Sequence, residues 1–272
     1  MNYRFLKLKK KIFKFLCKLL PRFIKKRNKK FSNIYFKPTD YSILPQTNYV
    51  NKNSLDFQNK LISKFNHNLI QNSFMTCPHL IQILLVKFNT NEEINFLDIG
   101  ADNIDFYLQL NKNFKNLKYF FYNLKSVNTI FKKLKLDNNY ENLIIIDEIN
   151  DEFKQQFEFI NFGSSIQYFD NYEFILKKTT DIGKNIMFSG TSLYETTNIK
   201  YKKHMIVEQI NMYPDINYLY FFNKQNFYQV FLDKNYKLLF ENKNLTDGIN
   251  YTNFDNIFKN INYMDFLFTK NN

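Results

Sequence analysis

From residue 94 onward the sequence alternates between short apolar runs and stretches of helical spacing, and this alternation constrains the fold more than any other feature. "INFLDI" precedes "NIDFYLQLNKNF", and "LKYFFYNL" precedes "SVNTIFKKLKL". "NLIIIDEI" and "FEFINFGSS" follow, then "NYEFILKKTTDI" and "KNIMFSGTS". After an irregular, Tyr-rich stretch come a helical segment, "KQNFYQVFLDKN", and two strand-like runs, "YKLLFENKN" and "INYMDFLFTK". Apolar strands that alternate with helices are buried on both faces, which predicts an α/β fold with a parallel sheet. The last two strands have no obvious helix between them, so the sheet is expected to hold seven strands and end antiparallel.

The N-terminus has a different character. Fourteen of the 38 Lys and Arg fall within residues 1–37, with no acidic residue among them. The other 24 face all 25 Asp and Glu, so the remainder carries a net charge of −1. A neutral body argues against nucleic-acid binding by the folded part. In the arm, Phe5, Leu8, Ile12, Leu16, Leu19 and Phe23 recur at helical spacing, while Lys7, Lys11, Lys14, Lys18, Arg22 and Lys25 form a second stripe. Pro21 should break or kink this helix near its end. Lysines interrupt every apolar stretch, so neither a bilayer span of roughly 20 apolar residues nor a signal peptide fits. The arm suits an anionic membrane surface, each nearby Lys contributing about 1 kcal/mol. A helix packed on its own domain, a disordered basic tail and an RNA-binding arm are the competing readings.

Residues 38–92 read as a lead-in of extended loop and helix, with one helix capped by Ser54 and another after Pro78. His79 reads as a helix-start residue. Cys17 and Cys77 are too few and too far apart for a disulfide framework or a metal knuckle, and free thiols fit a reducing cytoplasm. No Walker loop, HExxH, paired-cysteine site or GxSxG elbow occurs, so no metal is expected.

The chemistry turns on "NFLDIGADNIDFY", residues 95–107. An apolar run ends in Asp98 and turns at Gly100, but Asp102 and Ile104 stand where a nucleotide-binding loop carries glycines. Together with the element order, the stretch resembles the first motif of class I S-adenosylmethionine-dependent methyltransferases. More narrowly, the chain resembles a methyltransferase family found among bacterial cell-surface polysaccharide biosynthesis genes. "FEFINFGSSIQYFDNYEFIL", with its Ser-x-x-Gln-Tyr segment, carries most of that likeness, and the stretch from His204 to Glu241 adds to it. The resemblance covers roughly two thirds of the chain and implies a Rossmann-like domain over 93–272, preceded by the arm (1–37) and the lead-in (38–92).

The resemblance further implies S-adenosyl-L-methionine as cofactor. Asp98, Gly100, Ala101 and Asp102 would form its loop. Asn123 would stand where an acid usually holds the ribose, Asp147 beside the adenine, and Ser164 after the fourth strand. Ile104 is expected to intrude on the cofactor. Ser165, Gln167, Tyr194 and Tyr213 would meet the acceptor, a sugar or glycan precursor, and aromatic residues including Tyr201 and Tyr218 could stack on a sugar ring. His204 and Tyr168 are the candidate catalytic residues. The competing reading is a catalytically silent scaffold that recruits partners at the membrane. The arm gives the first test: full-length protein should co-sediment with anionic vesicles, less so at high salt. Protein lacking residues 1–30 should not, and equal binding by both overturns the membrane reading.

Overall fold

The computed structural model describes residues 34–45, 78–101, 104–150, 152–212, 215–243, 249–250, 254 and 258–271. The basic arm's helix and the helix expected after Ser54 lie outside these residues, as do Asp102 and Tyr213. In chain order the elements begin with β1 (Ile34–Pro38), α1 (Pro78–Lys87), β2 (Glu93–Ile99), α2 (Asp105–Asn113) and β3 (Asn116–Tyr122). Next come α3 (Lys125–Asn138), β4 (Leu143–Ile146), β5 (Phe159–Gly163), α4 (Tyr172–Ile182) and β6 (Asn185–Glu195). The last are β7 (His204–Met212), β8 (Asp215–Asn223), α5 (Lys224–Leu232), β9 (Tyr236–Lys243), β10 (Ile249–Asn250) and β11 (Lys259–Lys270). They fall into two compact units. One takes Met1–Tyr49, Ser192–Phe227 and Lys243–Tyr263, the other Val50–Thr191, Tyr228–Asn242 and Met264–Asn272.

The larger unit has the expected α/β architecture. Its strands lie in the order β4-β3-β2-β5-β6, every pair parallel, and β11 pairs with both β6 and β9. The Lys270 N–H donates to the Lys184 carbonyl, while Asp265 accepts from the Gly190 N–H. β11 therefore descends as β6 ascends. These seven strands, with the last one antiparallel, match the set that the spacing predicted, but the sheet holds eleven strands, four more than expected.

One face of this sheet rests on aromatic rings. Phe96 of β2 stacks on Tyr119 of β3, with centroids 5.1 Å apart, and on Phe159 of β5 at 5.6 Å. Stacked pairs contribute about 0.5–1.5 kcal/mol beyond the area they bury. α2 covers this face with Phe106, Tyr107 and Leu110, and α3 with Val127, Ile130, Phe131 and Leu134. Both helices follow the apolar spacing of "DFYLQL" and "VNTIFKKL". α3 ends at Asn139, whose left-handed conformation (φ 54°) an Asn tolerates better than most residues.

The smaller unit holds the main departure from the sequence reading. The stretch before α5, read as irregular, contains the antiparallel pair β7–β8, and the end of the segment read as a helical arm, 34–37, forms β1 with Pro38 beside β7. The last residues of β6 pair in parallel with β8, Leu193 opposite Phe222. Leu219, Tyr220, Phe221 and Phe222 are all buried, as are Met205 through Gln209. A strand covered on both faces loses the alternation by which an antiparallel strand is recognised, and Glu208 and Gln209 made this one read as a loop. Among the described residues no helix is long and apolar enough to cross a membrane.

Ile104 also departs from expectation. It is 1% exposed and packs in the aromatic-based core with Phe106 and Phe96, not towards a ligand. Ile104→Ala should therefore lower unfolding stability by roughly 2–5 kcal/mol in chemical denaturation; an unchanged midpoint would show that the side chain does not pack there.

Candidate functional site

The site is built at the carboxyl edges of β2, β3 and β5 and beside the middle of β6 at Ser189, all within the larger unit. β2 ends at Ile99, and Gly100 turns the chain with φ +80°, a conformation that favours glycine. Its N–H donates to the Tyr122 carbonyl at 2.7 Å, tying the turn to the end of β3. A Cβ on Gly100 would lie 2.3 Å from the Ser165 Cβ and 2.8 Å from its Oγ. Ser165 donates its hydroxyl to the Ile99 carbonyl at 2.5 Å. The turn after β2 and the turn after β5 thus close on each other.

Asp98 lies beneath, 2% exposed. Tyr119 donates its hydroxyl to Asp98 Oδ2, and Asn161 donates Nδ2 to Oδ1 at 2.9 Å. Burial, with the Asp98 carboxylate beside it, pushes the Tyr119 phenol well above its ordinary range, so the hydroxyl stays a donor. A carboxylate only accepts, so Asn161 must present its NH2 group to it. That leaves Asn161 Oδ1 buried without a hydrogen-bond partner, and Ser189 Oγ of β6 is in the same state.

Asn161 is the position of β5 opposite Asp98 on β2, and Gly163 lies opposite Ser189 on β6. Residues opposite one another in parallel strands share a face, and so do residues two apart in a strand. Gly163 is exposed, and a Cβ there would meet only Asn161 Nδ2, at 3.6 Å. Gly100, Gly163 and Ser189 thus form a row of small residues above a polar floor of Asp98 and Asn161. Such a notch fits a polar ligand: it has room at Gly163 and two buried polar atoms that the protein leaves unanswered.

The other expected residues take varied places. Ala101 is half-buried, and its carbonyl accepts from Asn123 Nδ2. Asn123 Oδ1 accepts from the Leu124 N–H at 2.7 Å, so this amide braces the loop. Asp147 is exposed and bonded to Lys132, which holds its carboxyl below the usual carboxylate range. Ser164 adopts φ 55° and bonds the Ser189 carbonyl through its N–H, at 2.7 Å, and its hydroxyl. Tyr168 is half-buried in a short 3-10 turn.

Three residues expected to meet an acceptor are scaffold instead. Ser165 is buried under Gly100. Gln167 is fully buried, with Nε2 donating to the Gly190 carbonyl at 3.2 Å. Tyr194, in the smaller unit, is fully buried; its hydroxyl donates to the Tyr201 carbonyl and its ring meets Phe258 edge-on, leaving no face for a sugar. Burial raises its phenol pKa. Tyr201 also meets Phe258 edge-on, and Tyr218 pairs with Tyr41. His204, the first residue of β7, packs edge-on against Tyr220. Asn161, Gly163 and Ser189 were missed by the sequence reading, although Asn161 was signalled as the one polar residue in the strand "FINF".

No family model and no curated protein matches the sequence. Solved structures with a similar course of chain include an S-adenosylmethionine-dependent methyltransferase from Clostridium acetobutylicum ATCC 824, 9% identical, with a TM-score of 0.48 over 79% of this chain and 99% of that one. Another is 1,6-didemethyltoxoflavin-N1-methyltransferase from Burkholderia thailandensis, solved with 1,6-didemethyltoxoflavin and S-adenosylhomocysteine. It is 10% identical, with a TM-score of 0.49 over 87% of this chain and 95% of that one. A third, from Methanosarcina mazei, is 9% identical, with a TM-score of 0.49 over 72% of this chain and 99% of that one.

The two turns can be tested through Gly100. Gly100→Ala forces a side chain into the left-handed region and against Ser165, and should cost roughly 2–4 kcal/mol of stability. A thermal melt that matches wild type would mean that the turns do not close as described.

Proposed function

We propose that this chain is an S-adenosylmethionine-dependent methyltransferase with its cofactor at the carboxyl edges of β2, β3 and β5. The observation that carries the reading is the notch over Gly163, where room for a ligand adjoins two buried polar atoms without protein partners. Ligands of doubly wound sheets bind at this edge. The resemblance of "FLDIGA" and of the Ser-x-x-Gln-Tyr segment to methyltransferase motifs supports the same assignment.

When bound, the cofactor supplies an electrophilic methyl group on a sulfonium. Gly100, Ala101 and Asp102 would pass beneath its methionine part, with Asp98 ordering that loop from below. Asn123 would brace the ribose side, Asp147 would lie on the adenine side, and Ser164 would bound the site after β5. Methyl transfer asks for in-line positioning and exclusion of water. A hydroxyl acceptor also needs a base, for which Tyr168 and His204 are the candidates. The acceptor in this reading is a sugar or glycan precursor of cell-surface polysaccharide biosynthesis, with Tyr213 among its contacts. The enzyme would work in the bacterial cytoplasm, its basic arm resting on the inner face of the membrane.

A second reading, a methyltransferase-like scaffold without catalysis, is favoured by one observation: Asn123 and Asp147 already have protein partners. Calorimetric titration with S-adenosylmethionine separates the two. Wild type should bind it, and Gly163→Leu, at an exposed residue outside the left-handed region whose Cβ makes only an ordinary contact with Asn161 Nδ2, should keep the wild-type melting temperature and lose binding. Absence of heat from wild type at millimolar cofactor leaves the scaffold reading.

A further inference from the structure

The polar row does not end at Ser189. β11 lies beside β6, and Leu267 of β11 belongs to the same core as Met187 of β6, the residue opposite Asn161. Two residues from Leu267 and on the same face stands Asp265, 2% exposed. Because β11 runs opposite to β6, the step from Leu267 to Asp265 leads towards the carboxyl edge. Gly190, with φ +59°, departs from strand geometry there and donates its N–H to Asp265 Oδ1 at 2.7 Å, which sets the carboxylate next to Ser189. One face of four neighbouring strands thus carries Asp98, Asn161, Ser189 and Asp265. Two are acids, at the two ends of the row, and between them lie the unpartnered Asn161 Oδ1 and Ser189 Oγ. Asn161 Oδ1 can only accept a hydrogen bond, and Ser189 Oγ can accept or donate.

We propose that this row is a cation-selecting floor of the ligand notch and that Asp265 sets its selectivity. The inference rests on the methyltransferase reading, because that reading supplies a ligand with two positive centres, the sulfonium and the α-ammonium. A buried carboxylate favours a positive group far more strongly than one in water does, since the low dielectric of the interior screens the attraction less. Buried acceptors with no protein donor add hydrogen-bonding capacity that only a donor-bearing or positively polarised group can use. Asp265 lies at the end of the row away from Asp98, held there by the Gly190 N–H.

The test uses Asp265→Asn, which keeps an oxygen for the Gly190 N–H while removing the charge, and Ser189→Ala, which removes a hydroxyl that no protein group uses. Binding of three ligands to the full chain is measured by calorimetry at about pH 6.5, where the α-amino group is protonated. S-adenosylmethionine carries both positive centres, S-adenosylhomocysteine the ammonium alone, and 5′-methylthioadenosine neither. Asp265→Asn should weaken S-adenosylmethionine at least tenfold and leave 5′-methylthioadenosine within twofold, with Ser189→Ala following the same order less strongly. A loss confined to S-adenosylmethionine assigns the floor to the sulfonium, whereas an equal loss with S-adenosylhomocysteine assigns it to the ammonium. Equal loss for all three ligands, or no loss, overturns the proposal and leaves the methyltransferase reading intact. Failure of wild type to bind any of them overturns both.

Discussion

The larger unit depends on how closely two turns approach. Gly100 and Ser165 leave no space for a single methyl group between them, and the Ser165 hydroxyl closes the gap by bonding the last carbonyl of β2. The turn of one strand is thereby fixed by the turn of its neighbour, and a third contact, from the Gly100 N–H to the Tyr122 carbonyl, extends the restraint to β3. A rigid edge of this kind is what a ligand site needs, because side chains placed on it do not have to be ordered again when a ligand arrives.

Below that edge the sheet changes character within one face. Phe96, Tyr119 and Phe159 stack as an apolar base, and one step nearer the edge the residues become Asp98 and Asn161. A buried carboxylate is tolerable there because Tyr119 and Asn161 hydrogen-bond it. The aromatic base has a second role: the Tyr119 ring packs on Phe96 while its hydroxyl holds Asp98, so packing and polar order are joined in one residue.

The alternation of strands and helices was legible because strands buried on both faces are apolar throughout and the helices between them keep a clear period. Every strand of the larger unit and each of its helices from α1 onward was recognisable on that basis. The pair β7–β8 was not, because its residues are buried on both sides while including Glu208 and Gln209. Ile104 read as an intrusion because the loop was judged by what it lacked; the fold turns that side chain into the core. Ser165 and Tyr194 read as ligand contacts because hydroxyls and rings near an edge suit either role, and only their partners, Ile99 and Tyr201, decide it. Asn161 was visible in principle as the lone polar residue of "FINF" and Asp265 as the acid within "YMDFLF", but the pairing that sets them on one face spans about a hundred residues.

The placement of β11 bears on how the protein forms during synthesis. The larger unit gathers three separate stretches of chain, and β11, from the last of them, occupies the position between β6 and β9. While a ribosome is still making residues 192–263, β6 has no neighbour on its β11 side, and the Gly190 N–H waits for a carboxylate not yet made. The nascent sheet therefore exposes an apolar, unpaired edge for the time it takes to translate about seventy residues, several seconds at ordinary elongation rates. Such an edge is a template for pairing with another chain. Closing it falls to β11, which also brings Asp265 to the end of the polar row.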